Sequence, residues 1–123
     1  MRTVPGQDSH ADLPRLRVHH QKAVGAVVVE VVGDVDMSTV PELEVQLVTA
    51  TRADVPLVLD LTGVTFLDSS GLGALVRCHE RGRQDGTGFR VVVATRTVSR
   101  PLSLTSLDAL LDVYPTLAAA LAA

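Results

Sequence analysis

The sequence predicts an α/β fold, in which a mixed β-sheet of four to five strands is covered by about four helices. Three apolar, strand-like runs lie at 26–33, 56–61 and 89–95. Segments with the apolar spacing of helices separate these runs, which is typical of parallel strands. A further strand-like segment precedes the first run without room for a helical crossover, so the sheet is predicted to be mixed. The helices are needed as covers for its apolar face.

The first part of the chain predicts an arm and then two strands. Residues 1–14 mix Pro, Gly, Asp and Ser without periodicity and are predicted to be a flexible arm before a single domain at 15–123. A first strand is predicted at 16–21, where apolar and polar side chains alternate. The second, AVVVEVVG at 26–33, is typical of an internal strand because Glu30 alone interrupts its apolar run.

In DVDMSTVPELEVQLVTA, residues 34–50, the spacing of the apolar residues changes from that of a strand to that of a helix. Ser38 or Thr39 can cap the start of this helix, and Pro41 falls near its first turn, where a missing N–H is harmless. Its apolar stripe follows an i, i+3, i+7, i+10 pattern made of Val40, Leu43, Leu47 and Ala50. The segment is predicted to be an amphipathic helix that covers the sheet.

The second half of the chain alternates strands and helices. After the strand at 56–61, a helix is predicted from about Ser70 to Arg83, ended by the QDGTG turn region. The strand FRVVVAT at 89–95 comes next, and SRPLSLTSLDALL then predicts one shorter helix. LDVYPT is predicted to be a brief edge strand, and TLAAALAA a last helix that Pro115 starts.

Composition disfavours several classes of function. The 123 residues carry a formal net charge of −3 without a dense Lys/Arg cluster, which argues against direct nucleic-acid binding. No apolar stretch approaches the ~18 residues of a membrane span, and the N-terminus lacks the apolar region of a signal peptide. The single cysteine, Cys78, cannot form an internal disulfide, which suits a reducing compartment. We therefore expect a cytoplasmic protein without membrane contacts.

The stretch TFLDSSGLGALV, residues 65–76, is the part of the chain that most needs a functional explanation. Its strand ends in Asp68, followed by two serines and by two glycines in the predicted first helical turn. Glycine in a helix interior costs about 1 kcal/mol relative to alanine. One interpretation is purely structural: Asp68 or Ser69 is the N-cap of the helix, and a glycine allows close packing of the helix on the strand. It leaves unexplained why two glycines accompany a serine pair at an exposed loop.

The other interpretation is a docking surface that carries a phosphorylation switch. Small residues let a partner's backbone approach closely, and a serine at a helix start presents its hydroxyl at the surface. Phosphorylation there adds about −1.5 to −2 charges, which the helix dipole tolerates within the domain. A partner packed on the same spot beside Asp68 cannot accommodate that charge, so modification would end binding without refolding anything.

The helix after Asp68 is predicted to present different faces to the core and to solvent. Its core face is expected at i, i+3, i+4 and i+7, which are Leu72, Leu75, Val76 and His79. The opposite, exposed side is expected to consist of Ser70, Ala74, Arg77, Cys78 and Arg81.

Two motifs of this chain together resemble the STAS domain in its anti-sigma factor antagonist form. GDVDMSTVPELEVQL is similar to that family's acidic turn into a helix. LVLDLTGVTFLDSSGLGALV is similar to its strand ending in Asp-Ser-Ser/Thr-Gly-Leu-Gly, which is the specific part of the match. LTSLDALLDVYPTLAAAL also resembles the family's C-terminal segment, so the resemblance covers about residues 15–122.

The resemblance implies a regulatory binding protein without catalytic activity or cofactor. In this family the serine directly after the motif's Asp is phosphorylated by the anti-sigma factor, a serine kinase with a histidine-kinase-like ATP fold. That serine is Ser69 here, and Ser70 is interpreted as a supporting hydroxyl. The unmodified protein would bind the anti-sigma factor and free a sigma factor, and a serine phosphatase would restore binding. The expected partner-binding residues are Asp36, Met37, Ser38, Asp68, Ser70, Gly71, Leu72, Gly73, Ala74 and Arg77.

Several alternatives have weaker support in the sequence. STAS domains also occur as accessory subunits of lipid-transport ABC systems, where the same helix docks on an ATPase, and this alternative stays open. A hydrolase using Ser69 lacks the G-x-S-x-G elbow, and GLG is no P-loop because no Lys follows at Walker spacing. His19 and His20 point to opposite faces of a predicted strand, so no metal site is expected. Whether the protein is a monomer or a dimer stays open.

Overall fold

Five strands form one sheet in the computed structural model, which describes residues 15–123. The strands are β1 Leu16–Ala23, β2 Ala26–Val35, β3 Leu57–Leu67, β4 Phe89–Val92 and β5 Asp112–Tyr114. β1 pairs antiparallel with β2, and β2 to β5 follow as parallel neighbours in chain order. The predicted mixed sheet is confirmed. The predicted arm at 1–14 lies outside the described residues.

Helices follow the second, third, fourth and fifth strands. They are α1 Val40–Ala50, α2 Ser69–Asp85, α3 Arg96–Leu104, α4 Leu107–Leu110 and α5 Leu117–Ala122. The prediction of one helix over SRPLSLTSLDALL was wrong, because Ser106 has a φ of 61°, a left-handed conformation that separates α3 from α4. No helix within residues 15–123 is both long and apolar enough to cross a membrane.

One face of the sheet carries the main hydrophobic core. α1, α2 and α3 cover aliphatic side chains that alternate along the central strands, such as Val29, Val31, Leu59 and Leu61. Burying one side chain of this kind contributes about 1.5–3 kcal/mol. The predicted α1 stripe is confirmed, since its four members are buried in this core: Val40, Leu43, Leu47 and Ala50.

The opposite face of the sheet has a smaller cover. α5 packs there, with the fully buried Ala120 against Val28, Val58 and Val92 from the three central strands. The guanidinium of Arg90 donates to the Ala120 carbonyl at 2.9 Å, which ties the helix to β4. The short, alanine-rich end of the chain is therefore part of the fold.

The face that α2 buries differs from the predicted one. Ala74 and Cys78, expected on the exposed side, are 1% and 5% exposed, whereas Val76 and His79 are only half-buried. The buried row also includes Gly71 and Gly82, so it is made of small residues with Leu75 beside them. Small side chains let the helix lie close to the strands, and this close packing turns the helix away from the orientation that apolarity alone predicts.

Candidate functional site

Two acidic turns meet at the edge of the sheet where β2 and β3 end. The strands are parallel, and Val35 lies opposite Leu67 in their register. The backbone N–H of Asp68 donates to the Val35 carbonyl at 3.2 Å. The turn after β2, residues 36–39, therefore lies beside the start of α2.

Asp68 is the N-cap of α2. Its carboxylate accepts hydrogen bonds from the backbone N–H groups of Ser70 and Gly71, at 3.0 and 3.2 Å, and from the Ser70 hydroxyl at 2.5 Å. The Ser70 hydroxyl is the main reason why the pKa of Asp68 lies below its usual value, and the nearby charge of Asp36 opposes this shift. Asp68 thus remains ionised at the helix start, where the dipole favours a negative charge.

Ser69 is the first residue of α2, directly after the cap. Its side chain is exposed, and its hydroxyl forms no hydrogen bond with any group of residues 15–123. Ser70 differs, because it is half-buried and its hydroxyl is held by Asp68. The local cap chemistry therefore leaves one hydroxyl of the serine pair accessible and uses the other for structure.

The turn after β2 is organised around the carboxylate of Asp36. One of its oxygens accepts from the backbone N–H and the hydroxyl of Ser38, at 2.9 and 2.8 Å, and from the backbone N–H of Thr39 at 3.2 Å. The Thr39 hydroxyl donates to the Asp34 carbonyl at 2.8 Å. The hydrogen bond from the Ser38 hydroxyl is the main reason why the pKa of Asp36 is lowered to about 2, and the Ser38 N–H and the guanidinium of Arg15 add to the shift.

Arg15 completes this turn and was not predicted as part of the site. Its guanidinium donates to the Asp36 carboxylate and, at 2.7 Å, to the Ser38 hydroxyl, and it lies 3.6 Å from the Asp34 carboxylate. Its carbonyl accepts from the Asp34 N–H at 2.8 Å. The sequence feature that could have indicated this contact is the predicted pairing of the first two strands. When they pair antiparallel, the residue before β1 lies opposite the end of β2.

Two large apolar side chains near these turns in the sequence are exposed. Met37, in the turn, is 78% exposed, and Phe66, near the end of β3, is 49% exposed. Phe66 was not predicted as a site residue either, although it lies within the stretch 65–76, two positions before Asp68. Exposed large apolar side chains are frequent in protein contact surfaces, and Met37 is such a side chain in the turn beside the start of α2.

Comparison with known proteins assigns this fold and its motif to one family. A family model described as the STAS domain matches residues 16–120, which is most of the chain. The chain belongs to the STAS domain family. The resemblance predicted from the two sequence motifs is thereby confirmed.

This STAS domain is similar to proteins of mycobacteria. It is 32% identical over 108 residues to the anti-sigma-F factor antagonist RsfA of Mycobacterium tuberculosis, which covers 85% of this chain and 82% of the relative. It is 35% identical over 95 residues to the anti-sigma-F factor antagonist RsfB of the same organism, covering 76% of each chain. The crystal structure of an anti-sigma factor antagonist from Mycobacterium paratuberculosis has a TM-score of 0.79 at 38% identity, covering 87% of this chain and 92% of that one.

The predicted partner-binding residues of this STAS domain divide into accessible and buried groups. Met37 and Ser38 are exposed, while Leu72 and Gly73 are half-buried. Together with the exposed Ser69, the predicted phosphorylation site, these four residues make up the predicted surface that is named the docking surface below. Asp36, Asp68 and Ser70 are also half-buried, and their side chains take part in the hydrogen-bond networks of the two turns.

Three of the predicted contact residues have structural roles that the sequence did not reveal. Gly71 and Ala74 are buried against the sheet, so the expectation that Ala74 lies on the accessible side was wrong. Arg77 forms a two-point ion pair with Glu44 of α1, with N–O distances of 2.8 and 3.2 Å. That pair links the two helices and leaves Arg77 about half exposed.

The structure also places the two neighbouring histidines of β1. His19 lies opposite Glu30 of β2 and His20 opposite Val29, so the two rings belong to alternate positions of the strand. No group of three metal-ligating side chains is close enough to hold an ion within residues 15–123.

Proposed function

We propose that this STAS domain protein is an anti-sigma factor antagonist whose binding is switched off by phosphorylation of Ser69. The unmodified protein binds an anti-sigma factor that is a serine kinase, and this releases a sigma factor. A serine phosphatase reverses the modification. The observation that carries the proposal is the exposed hydroxyl of Ser69 at the start of α2, without a hydrogen-bond partner among residues 15–123.

The choice of Ser69 over Ser70 is supported by their different surroundings. A kinase must bring the γ-phosphate of ATP in line with a serine oxygen, which requires an accessible hydroxyl. The Ser70 hydroxyl is half-buried and donates to Asp68 at 2.5 Å, so phosphorylating it would break a bond of the helix cap. Phosphorylation of Ser69 breaks no bond within the described part of the chain.

The switch is supported by the charges already present around Ser69. Asp68 and Asp36 both have lowered pKa values, so both are ionised at neutral pH. A phosphate adds about −1.5 to −2 further charges at this spot. In the free protein, water and the helix dipole stabilise that charge. Under a bound partner water is excluded, and the same charge opposes binding unless a cation of the partner meets it.

The docking surface has the composition that a protein partner requires. Met37 supplies an unbranched, adaptable apolar side chain, and Gly73 lets a partner's backbone approach the helix. A Cβ atom added at Gly73 would meet the Arg77 guanidinium at 3.2 Å as its nearest neighbour, so this position borders open space rather than the core. The proposed role is regulatory binding rather than catalysis. Within residues 15–123, no histidine accepts a hydrogen bond from Ser69 as a general base would.

Binding to candidate serine-kinase anti-sigma factors of the same cell tests the proposal. We expect Ser69→Ala to bind such a kinase as the unmodified protein does, with or without ATP. Ser69→Asp should bind at least tenfold more weakly in calorimetry, because about 1.4 kcal/mol of charge repulsion suffices for that change. Mass spectrometry after incubation with kinase and ATP should place one phosphate on Ser69.

Two control variants make the outcome specific. Ser103→Asp adds the same charge at an exposed position of α3 and should leave binding unchanged. Ser70→Ala keeps the Ser69 hydroxyl and should still be phosphorylated. Equal affinities of the unmodified protein and Ser69→Asp would contradict the proposal, as would a phosphate found on Ser70 instead.

A further inference from the structure

A cavity separate from the docking surface lies between α3 and the last strands. Its volume is about 720 Å³, within the range of roughly 300–1,000 Å³ that is common for small-molecule sites. Val93 at the end of β4, Leu102 of α3, and Val113 and Pro115 of the β5 region provide its apolar lining. No residue of the docking surface lines this cavity.

The α3 side of the cavity carries positive charge. Arg96, Ser99, Arg100 and Ser103 all line it, and their i, i+3, i+4, i+7 spacing places them in one row along the helix. Arg96 and Arg100 are exposed and form no ion pair within residues 15–123. Asp108 also lines the cavity and leaves the charge of the lining positive.

The two arginines are unfavourable neighbours unless an anion joins them. Like charges four residues apart on a helix repel each other, and a negative ligand between them would convert this repulsion into attraction. Guanidinium groups match carboxylates in particular, because their paired N–H groups donate to both oxygens.

A buried hydroxyl without a hydrogen-bond partner among the described residues lies at the start of α3, one residue before Arg96 of the lining. Thr95 is the N-cap of the helix, yet its side chain caps no backbone N–H. Its hydroxyl oxygen is buried and has no hydrogen-bond partner among the described residues. Thr95 lies in sequence between Val93 and Arg96, two residues of the lining.

We propose that this cavity, named the α3 cavity, binds a small organic anion in which a carboxylate is attached to an aliphatic or aromatic body. The carboxylate is held between Arg96 and Arg100, and the body lies on Val93, Val113 and Pro115. The size of the cavity fits a small molecule better than a protein segment. The two arginines suit the carboxylate of such a molecule, and the apolar lining suits its body.

Titration with sodium decanoate, at constant ionic strength and below micelle formation, tests this proposal on the full chain. We expect saturable amide NMR shifts at residues that line the α3 cavity, with calorimetry giving the affinity. In the double variant Arg96→Gln/Arg100→Gln, decanoate should bind about tenfold more weakly or worse, since charge-assisted hydrogen bonds are lost. Arg17→Gln, which removes an exposed charge on β1, should bind decanoate unchanged.

A second pair of variants tests the apolar half of the site without changing charge. Ser99→Phe places a ring into the cavity and should abolish decanoate binding, whereas Thr97→Phe, at an exposed position of the same helix outside the lining, should not. Equal binding of decanol would overturn the role of the arginines. Equal binding of inorganic phosphate would overturn the role of the apolar body. Absence of saturable shifts would overturn the site itself.

Discussion

Single residues at the start of α2 differ in function because their hydrogen bonds differ. The Asp68 carboxylate accepts from the backbone N–H groups of Ser70 and Gly71, and the Ser70 hydroxyl donates to the same carboxylate. Ser69 stands between them with an accessible hydroxyl. In the neighbouring turn, Asp36 has a comparable structural role, since it holds Ser38 and Thr39 and is itself held by Arg15. The accessible hydroxyl is thus framed by two carboxylates whose positions are fixed.

The pKa of Asp36 depends on the hydrogen bonds and the ion pair that hold this turn together. It is lowered from 3.8 to about 2, with the Ser38 hydroxyl as the largest favourable cause and Arg15 as a smaller one. We therefore expect Ser38→Ala to raise the pKa of Asp36 more than Arg15→Ala does, as followed by NMR titration of the carboxyl carbon. A larger effect of Arg15→Ala would contradict this order of causes.

The same pKa predicts the direction of a pH effect on stability. The folded protein binds its proton at Asp36 less readily than the unfolded chain, so the ionised form favours folding. This contribution is complete above about pH 4 and is lost as pH falls from there through about 2. In Ser38→Ala the folded-state pKa lies closer to that of the unfolded chain, so the contribution should be smaller and its loss complete at a higher pH, as measured by urea unfolding at a series of pH values.

The element that positions the site, α2, is packed through small residues. A Cβ atom added at Gly71 would lie 2.5 Å from Leu67 Cδ1 and 2.8 Å from Val35 Cγ1. Both are core side chains at the ends of the two strands that carry the acidic turns. The first glycine of the motif therefore sets the distance between the helix and the sheet, and the second borders solvent.

Two glycine-to-alanine variants of α2 should have opposite effects. Gly71→Ala should lower the free energy of unfolding by about 1–3 kcal/mol, because the core must shift to admit the methyl group. Gly73→Ala should raise it by up to about 1 kcal/mol, because alanine favours the helix and the added methyl group meets only the half-exposed Arg77 guanidinium. Urea denaturation measures both. Equal effects of the two variants would contradict the close packing assigned to Gly71.

At the scale of the whole molecule, the sheet brings distant segments of the chain into one site. The parallel register of β2 and β3 places Asp36 beside Asp68, and the antiparallel pairing of β1 with β2 adds Arg15. Gly33 has a φ of 115° and lies so close to the Arg15 carbonyl that a side chain there would clash. The site thus depends on the assembled sheet and not on α2 alone.

The reactivity of the Cys78 thiol can be used to follow the unfolding of this assembly. Burial raises the pKa of its thiol, and its side chain is 5% exposed in the core between α2 and the sheet. We expect reaction with a thiol reagent to be slow in the native protein and to accelerate together with unfolding in urea. The variant Cys78→Ala/Ser103→Cys, with the thiol at an exposed position, should react rapidly without urea. Similar native rates for both proteins would contradict the burial of Cys78.

The sequence by itself determined the features that depend on neighbours along the chain. The alternation of strands and helices, the α1 stripe, a cap at Asp68 or Ser69 and the family motif are all local patterns of period and hydrogen bonding, and the structure identifies Asp68 as the cap. Only the tertiary structure decided which side of α2 is buried and that Arg15 joins the site. The physical reason is that the burial of a helix face depends on the shape of the strands beneath it. Likewise, Arg15 meets Asp36 only through the register of a strand pair, which no local pattern contains.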